Sequence, residues 1–153
     1  MRWIRVLLVL LTLPLAARGE GLPDGGVTAA EVAATLKNAG YPADSTADRS
    51  GEPFIRSSTG KTLFIVHFFQ CGPELRCGSV QFTATFRHKF ATPATIAAWN
   101  RERRFGRAYE DARGVTWLAM DVETSHGLTT EALQADVARW ISVLNSFETF
   151  VAR

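Results

Sequence analysis

The sequence predicts an α+β fold in which helices pack on an antiparallel five-stranded sheet, in the element order α-β-β-β-α-β-β-α. Three observations lead to this prediction. A capping-box pattern opens a helix at Thr28, residues 79–86 alternate between apolar and polar side chains, and residues 130–150 repeat apolar side chains every three or four positions. The mostly short connections between elements favour antiparallel neighbours.

The first helix begins with two residues that cap each other. In the segment Thr28-Ala-Ala-Glu31 the Thr hydroxyl and the Glu carboxylate satisfy exposed backbone amides at the helix start. We expect the helix to run to about Ala39, because Gly40 can adopt the left-handed conformation that ends a helix. The stretch 42–52 then reads as a loop.

Three strands are expected next. Residues 53–57 form a short strand, placed at a sheet edge because Pro53 cannot donate a ladder hydrogen bond. Residues 61–70 are apolar at nearly every position from Leu63 to Phe69, with His67 the one polar interruption, which predicts a central strand covered on both faces. The alternation in residues 79–86 predicts a half-buried strand.

A second helix and a hairpin follow. Thr92 is a suitable N-cap and Pro93 suits the first helical position, so a helix should run from there to Arg103 or Arg104. Residues 106–111 and 115–122 have strand character and are joined by a short turn.

The last helix and the tryptophans supply most of the expected core. Trp99 and Trp117 are expected to be core aromatics, and Asn100 to hydrogen-bond the second helix to a strand, since buried polar groups need partners. The apolar face of the last helix consists of Leu133, Val137, Trp140, Ile141, Leu144, Phe147 and Val151.

The first 19 residues have the features of a signal peptide. Arg2 and Arg5 precede an apolar run, which is followed by small residues, so we expect cleavage after Gly19, with cleavage after Ala17 as the alternative. The run is shorter than the roughly 20 residues that span a bilayer, so an uncleaved anchor is the less favoured interpretation. Residues 20–27 should be a flexible mature terminus, ahead of one domain at 28–153.

Cleavage would change the charge balance. The chain has 17 Lys and Arg against 15 Asp and Glu. Removing Arg2, Arg5 and Arg18 leaves 14 against 15, a net charge of −1. The mature chain is therefore close to neutral, which argues against a general nucleic-acid binder.

The two cysteines flank a turn between two predicted strands. If those strands pair, Cys71 and Cys77 come together at the end of a hairpin, and an exported protein is expected to oxidise them to a disulfide. A redox-active pair is the alternative, although the spacing is not Cys-x-x-Cys. A metal site using His67 or His88 is less favoured because no four-ligand spacing is present.

Other candidate groups have simpler structural explanations. His67, His88 and His126 fall on different elements and in no recognised catalytic or metal-binding motif. His67 is expected to be a hydrogen-bonded core or pocket residue. Asp111 and Asp121 could approach each other on paired strands for acid–base work, but pairing with arginines or capping turns is the favoured role.

A basic cluster surrounds one aromatic residue after the second helix. It consists of Arg101, Arg103, Arg104 and Arg107 around Phe105, with Arg87 and Lys89 nearby. Two interpretations stay open. The arginines form a solvated face paired with Glu102, Glu110 and Asp111, or they form a docking patch for an anionic partner such as lipid head groups or an acidic protein.

One set of residues between Thr28 and Phe150 has the character of a family fingerprint. It comprises Leu36, Gly40-Tyr41, Gly51, Pro53, Trp99-Asn100, Arg104-Phe105-Gly106-Arg107-Ala108-Tyr109, Asp111, Gly114 and Met120-Asp121. In these residues the chain resembles the YbjN family, described as bacterial sensory transduction regulators. The resemblance implies a fold like that of type III secretion chaperones and a non-catalytic role, with no catalytic residues to transfer.

Function is predicted only as a class. We expect an exported, periplasmic or secreted, non-catalytic chaperone-like or regulatory module that binds another protein and needs no cofactor or metal. Homodimerisation is an accompanying expectation, and neither nucleic acid nor a stable membrane anchor is expected. The alternative is a small redox or ligand-binding or lipid-binding protein that uses Cys71 and Cys77 or a sheet–helix pocket.

Overall fold

Three helices and six strands make up the described part of the chain. The computed structural model describes residues 21–22, 25–86 and 91–152. In chain order the elements are α1 (Ala29–Asn38), β1 (Ala43–Ala47), β2 (Pro53–Ser58), β3 (Leu63–Cys71), β4 (Cys77–Phe86), α2 (Pro93–Glu102), β5 (Arg107–Glu110), β6 (Thr116–Glu123) and α3 (Thr130–Val151). The predicted signal peptide at 1–19, together with Arg87, His88 and Lys89, lies outside the described residues.

The six strands form one antiparallel sheet in the order β1-β2-β3-β4-β6-β5. The α+β class and the antiparallel sheet are confirmed, but the predicted number of five strands is wrong. The additional strand is β1, which lies within the stretch 42–52 that we expected to be a loop. The sequence of β1 has no alternation of apolar and polar side chains that would predict a strand. Only Ala43 of this strand is buried. Pairing with β2 rather than side-chain burial therefore defines this strand.

The prediction of an edge strand at residues 53–57 is also wrong, because β2 lies between β1 and β3. Pro53 is tolerated there because of its register. It pairs with Ala47, next to a position where the Asp48 amide donates to the Glu52 carbonyl at 2.9 Å. Hydrogen-bonded and non-hydrogen-bonded pairs alternate in an antiparallel ladder. Pro53 therefore needs no N–H for its pair with β1, and on the β3 side it lies just outside the ladder, which begins at Phe54.

The described helices cover only one face of β3, which corrects the prediction of cover on both faces. Phe64, Val66 and Phe68 are buried, whereas Leu63 is 78% exposed and Phe69 45% exposed. The nearly continuous apolar run hides this alternation in the sequence. The face that carries Leu63 and Phe69 is called the open face below.

The core lies between the sheet and α3, which contacts both other helices. Trp140 packs against Phe64 and Phe82, with ring centroids 5.8 and 5.6 Å apart. Trp99 is 1% exposed and Phe147 fully buried. The apolar face predicted for the last helix is confirmed, since all of its members are buried. Its members are Leu133, Val137, Trp140, Ile141, Leu144, Phe147 and Val151.

Trp117 is not a core residue, contrary to the prediction. It is half-buried on the open face, where its ring stacks on that of Tyr109 at 6.3 Å between centroids. Its indole Nε1 donates to the Asp111 carboxylate at 3.2 Å. Tryptophan is both apolar and polar, and its sequence position alone does not distinguish a core site from this partly exposed one.

The start of α1 is tied to the β3–β4 hairpin. The predicted capping box is confirmed: the Thr28 amide donates to Glu31 at 2.7 Å, and the Glu31 amide donates to the Thr28 hydroxyl at 3.2 Å. Arg76, at the end of the hairpin loop, donates to both oxygens of Glu31 at 3.1 and 3.2 Å. Burial opposes ionisation of Glu31, but the hydrogen bonds from Thr28 and Arg76 outweigh it and hold the pKa of Glu31 below its ordinary value.

Candidate interaction site

The joint between α2 and β5 is made by the side chains of two adjacent residues. Trp99 Nε1 donates to the Gly106 carbonyl at 2.7 Å. Asn100 Nδ2 donates to the Ala108 carbonyl at 2.8 Å, and the Ala108 amide donates back to Asn100 Oδ1 at 2.9 Å. The predicted helix-to-strand hydrogen bonding by Asn100 is therefore confirmed. The short β5 strand is fixed against the end of α2 by three hydrogen bonds in all.

Near this joint four guanidinium groups lie over aromatic rings, two of them over the exposed ring of Phe105. We call this group, Arg103, Arg104, Arg107 and Arg139 with Phe105, the arginine surface. Phe105 is 43% exposed, and its ring centroid lies 5.3 Å from Arg104 Cζ and 4.9 Å from Arg139 Cζ. The ring is thus contacted by two cations, from the α2–β5 connection and from α3.

The other two arginines lie over neighbouring rings. Arg103 Cζ is 5.6 Å from the Trp99 centroid and 5.9 Å from the Phe150 centroid. Arg107 Cζ is 5.4 Å from the centroid of Tyr109 on the open face. An arginine that stacks on a ring keeps its N–H edge available to an anion. The surface therefore presents positioned donors rather than freely moving charges.

The structure changes the membership of the predicted cluster. Among the residues that the structure describes, Arg101 contacts no aromatic ring and borders neither groove at Arg103, so it does not belong to the arginine surface. Arg139 belongs to it but was not predicted. Its position 32 residues beyond Arg107 gives no local signal, and only the packing of α3 against α2 brings it to Phe105.

The predicted neutralisation of these arginines by nearby acids is wrong. Within residues 21–22, 25–86 and 91–152, none of Arg103, Arg104 and Arg107 forms an ion pair with a carboxylate. Arg139 pairs with Asp136 one helical turn earlier. Asp111 pairs instead with Arg113, at 3.1 Å. In the described part of the chain, three guanidinium groups of the arginine surface therefore have no carboxylate that neutralises them.

Two shallow grooves meet at Arg103. One, of about 520 Å³, runs past Phe105 and Arg107 to Met120 and is bordered by Asp121. The Asp121 carboxylate accepts a hydrogen bond from Gln81 Nε2 at 2.6 Å, which satisfies part of its acceptor capacity inside the protein. The second groove, of about 580 Å³, follows α3. Its lining consists of Arg103, Ala138, Ile141, Ser142, Asn145, Ser146, Thr149 and Phe150.

Asp111 caps a turn and does not act with Asp121. Its carboxylate accepts from the Val115 amide at 3.0 Å, the Arg113 amide at 2.9 Å and the Trp117 indole. These hydrogen bonds, with the Val115 amide foremost, lower the pKa of Asp111 to about 2. Asp121 lies at the other end of the β5–β6 pair. The two carboxylates are therefore not brought together for acid–base chemistry.

The described histidines lack a catalytic arrangement. His67 lies half-buried on β3, with Nε2 3.1 Å from the Thr83 hydroxyl, and burial lowers its pKa. His126 Nδ1 is 2.7 Å from the Ser125 hydroxyl. The Ser125 hydroxyl donates a hydrogen bond to the Glu123 carboxylate, which lies 4.0 Å from His126 Nδ1. The carboxylate therefore binds the serine instead of orienting the histidine, contrary to a nucleophile triad.

The cysteines lie at the hairpin end, as their position in the sequence suggested. Cys71 pairs with Cys77 across β3 and β4, and their sulfur atoms are 2.08 Å apart, which is disulfide distance. Cys77 is fully buried, and its backbone bonds with Val27 in both directions. The described residues contain no group of three or more His, Cys, Asp or Glu side chains placed to hold a metal ion.

Reduction should destabilise the protein if the disulfide forms. We expect reducing agent to lower the free energy of unfolding by about 2 kcal/mol, because a short loop restricts the unfolded chain only modestly. Urea unfolding followed by circular dichroism, with and without reductant, measures this. The double variant Cys71→Ala/Cys77→Ala is the control and should not respond to reductant. A wild-type protein that also fails to respond would show that the cysteines are not bonded.

The comparisons with known proteins point to one family. Residues 28–153 match the YbjN family, described as "Putative bacterial sensory transduction regulator". No match was found among the curated proteins with which the chain was compared. Among the helices of the described ranges, none has both the length and the apolarity needed to cross a membrane. Because the match covers most of its length, including every helix and strand described above, the chain belongs to the YbjN family.

Proposed function

We propose that this protein is an exported, non-catalytic regulatory module that binds an acidic segment of another protein through the arginine surface. The observation that carries the proposal is the set of three arginines, Arg103, Arg104 and Arg107, held on aromatic rings without a carboxylate partner in the described structure. The description of the YbjN family as a regulator is compatible with a binding role.

The chemistry of the surface favours carboxylates on a chain that also carries apolar groups. Guanidinium groups form paired hydrogen bonds with carboxylates. Phe105, which is 43% exposed, provides apolar contact in the same groove. Aromatic and arginine side chains are typical of residues that dominate the free energy of protein–protein binding. An extended segment with alternating acidic and apolar residues fits both features.

The positive charge is local rather than global. After the expected cleavage the chain has a net charge of −1, so long-range attraction to any polyanion is weak. Binding should depend on contacts with particular arginines and decline with salt, because screening shortens the range of exposed charges.

Export itself is tested by N-terminal sequencing of protein recovered from the cell envelope, where a start at residue 20 is expected.

A labelled peptide of alternating glutamate and leucine tests the binding proposal. We expect the double variant Arg104→Ala/Arg107→Ala to bind it about tenfold more weakly, since two exposed charge contacts contribute about 1.4 kcal/mol together. Fluorescence anisotropy measures the affinity at low and high ionic strength. Arg49→Ala/Lys61→Ala, which removes two exposed positive charges from the β1–β2 and β2–β3 turns, is the charge-matched control.

Three outcomes would contradict the proposal. The wild-type protein could fail to bind the glutamate peptide at low salt. The Arg49→Ala/Lys61→Ala control could lose as much affinity as Arg104→Ala/Arg107→Ala, which would indicate a general charge effect. The protein could bind a peptide with glutamine in place of glutamate equally well, which would remove the role of the carboxylates. Binding to anionic vesicles but not to the peptide would favour a lipid head group instead.

A further inference from the structure

A small pocket on the open face is separate from the arginine surface. Its volume is about 280 Å³. It lies where the turn between β1 and β2 meets strands β2 and β3, and it shares no lining residue with the two grooves at Arg103. Pockets that hold drug-sized molecules have volumes of roughly 300–1,000 Å³, so this pocket suits a smaller molecule.

Strand β2 and the residue before it place opposite charges at the two ends of this pocket. Glu52, Phe54 and Arg56 are alternate residues, so their side chains share the open face, and all three line the pocket. Phe54 pairs with His67 on β3, and Arg56 pairs with Ile65. The rise of a strand puts the Cα atoms of Glu52 and Arg56 about 13 Å apart, with Phe54 between them. A carboxylate and a guanidinium therefore flank one aromatic ring.

The Arg56 guanidinium is directed toward the Glu52 end of the pocket. Its Cζ atom lies 5.2 Å from the centroid of the Phe54 ring. Phe54 is two residues nearer to Glu52, so this stacking brings the guanidinium about 7 Å closer to Glu52 than the Arg56 backbone is. Within the described ranges Arg56 forms no ion pair. A guanidinium stacked in this way keeps its N–H edge available to an anion.

Asp48 fixes the backbone that carries Glu52. The Glu52 amide donates to Asp48 Oδ1 at 3.0 Å, and the Asp48 amide donates to the Glu52 carbonyl at 2.9 Å. The Ser50 amide donates to the same Asp48 oxygen at 2.8 Å. The Glu52 carboxylate itself forms no hydrogen bond or ion pair with any residue that the structure describes. It is therefore a positioned acceptor for an ammonium group.

The wall between the two charges is largely apolar. Phe54 and Ile65 are half-buried in it, and Phe69 is 45% exposed. His67 also lines this wall, with its Nε2 3.1 Å from the Thr83 hydroxyl. Burial lowers the pKa of His67, so the ring adds no charge near pH 7. Such a wall favours an apolar group on the ligand.

We propose that this pocket binds a free α-amino acid with an apolar side chain. The carboxylate of the ligand bonds to Arg56, its ammonium bonds to Glu52, and its side chain packs on Phe54 and Phe69. An α-amino acid carries both charges on one carbon, which fits the short gap between the guanidinium and Glu52. A peptide separates its two ends by about 3.3–3.6 Å per residue and exceeds that gap. A simple amine or a simple carboxylic acid leaves one protein charge without a partner.

Leucine and three analogues test which groups the pocket recognises. We expect leucine to bind, and leucinamide, N-acetylleucine and glycine each to bind about tenfold more weakly. Leucinamide lacks the carboxylate, N-acetylleucine lacks the ammonium charge, and glycine lacks the apolar side chain. The shifts of backbone amide resonances in NMR titrations measure each affinity. They also locate the binding, and we expect them at residues 52–56 and 65–69.

Variants that remove one charge test the two ends of the pocket. We expect Arg56→Gln and Glu52→Gln each to weaken leucine binding about tenfold, because each removes a charge-assisted hydrogen bond. Arg101→Gln on α2 and Glu74→Gln in the β3–β4 loop are the matched controls, since both side chains are exposed and neither lines the pocket. Phe69→Ala should weaken the binding of leucine but not that of glycine, which has no side chain to pack on the ring.

Several results would overturn the inference, and circular dichroism of each variant shows that it is folded. Leucinamide or N-acetylleucine binding as tightly as leucine would mean that only one charge is recognised. Controls that weaken binding as much as Arg56→Gln would mean a general charge effect. Titrations that shift no amide of the pocket, up to the solubility limit of leucine, would mean that it does not bind there. The pocket and the arginine surface share no residue, so either proposal can fail while the other holds.

Discussion

Trp99→Ala should lower the free energy of unfolding by about 4 kcal/mol, because it removes a large aromatic side chain from a packed core. Trp99 is 1% exposed, and its ring lies edge-on to Phe147 and Phe150 at centroid distances of 4.9 and 5.5 Å. The variant also leaves the Gly106 carbonyl without the indole donor. Urea unfolding followed by far-ultraviolet circular dichroism gives the measurement.

Trp99→Phe separates the two contributions. It keeps an aromatic ring next to Phe147 but cannot donate to Gly106, so the expected loss is about 1–2 kcal/mol, from one hydrogen bond and a small cavity. Arg101→Ala, on the exposed side of the same helix, should change stability by less than about 0.5 kcal/mol. If Trp99→Ala cost no more than Arg101→Ala, the joint between α2 and β5 would not be a stabilising feature.

The helices were predictable because their signals are local. The pair Thr28 and Glu31 specifies the start of α1, and Thr92 with Pro93 specifies the start of α2. The long apolar repeat of α3 fits a single helical face. Each of these features depends on side chains no more than four positions apart, so no knowledge of the partners was required.

The sheet was less predictable because strand identity depends on neighbours. Strand β1 is polar and gains its structure from pairing with β2, which its own sequence does not encode. The nearly continuous apolar run of β3 suggested cover on both faces, yet Leu63 and Phe69 lie on the open face. Pro53 suggested an edge strand because proline has no N–H to donate. Its pairing with Ala47, which makes an interior strand possible, can be recognised only when the partner strand is known.

In the candidate site too, the members with local sequence signals were predictable and the member that depends on tertiary packing was not. Arg103, Arg104 and Arg107 are close in sequence to Phe105 and were identified as a cluster. Arg139 approaches Phe105 only through tertiary packing, and no spacing rule connects the two positions. The exclusion of Arg101 likewise depends on which side of α2 faces the other elements.

The Trp-Asn segment of the family fingerprint now has a physical explanation. Trp99 and Asn100 close the β5 edge and hold the turn that carries Phe105 and its arginines. The same residues therefore serve folding, protection of a sheet edge and presentation of the arginine surface. A change in this joint should affect binding even in variants that stay folded, since the arginines depend on it for their positions.

Gly106→Ala should cost about 3 kcal/mol of stability, because the new methyl group has no room. Gly106 adopts a φ of +77°, where a side chain costs about 1–2 kcal/mol. A Cβ atom there would lie 2.4 Å from Val143 Cγ1 and 3.4 Å from Leu118 Cδ1. Val143 is buried and β-branched, so its methyl group cannot rotate away easily. Crowding in a packed core adds about 1–3 kcal/mol.

Gly114→Ala is the matched control, since it isolates the backbone contribution. Gly114 has a similar φ of +73° in the β5–β6 turn, but no described atom lies within 4 Å of its Cβ position. It should therefore lose only about 1–2 kcal/mol. Adding Val143→Ala to Gly106→Ala should recover part of the larger loss, giving a coupling that a double-mutant cycle measures. The two glycine variants could instead lose the same free energy of unfolding, with no coupling to Val143. Close packing of α3 would then not fix the turn at Gly106, and the positions of Arg104 and Arg107 would have another cause.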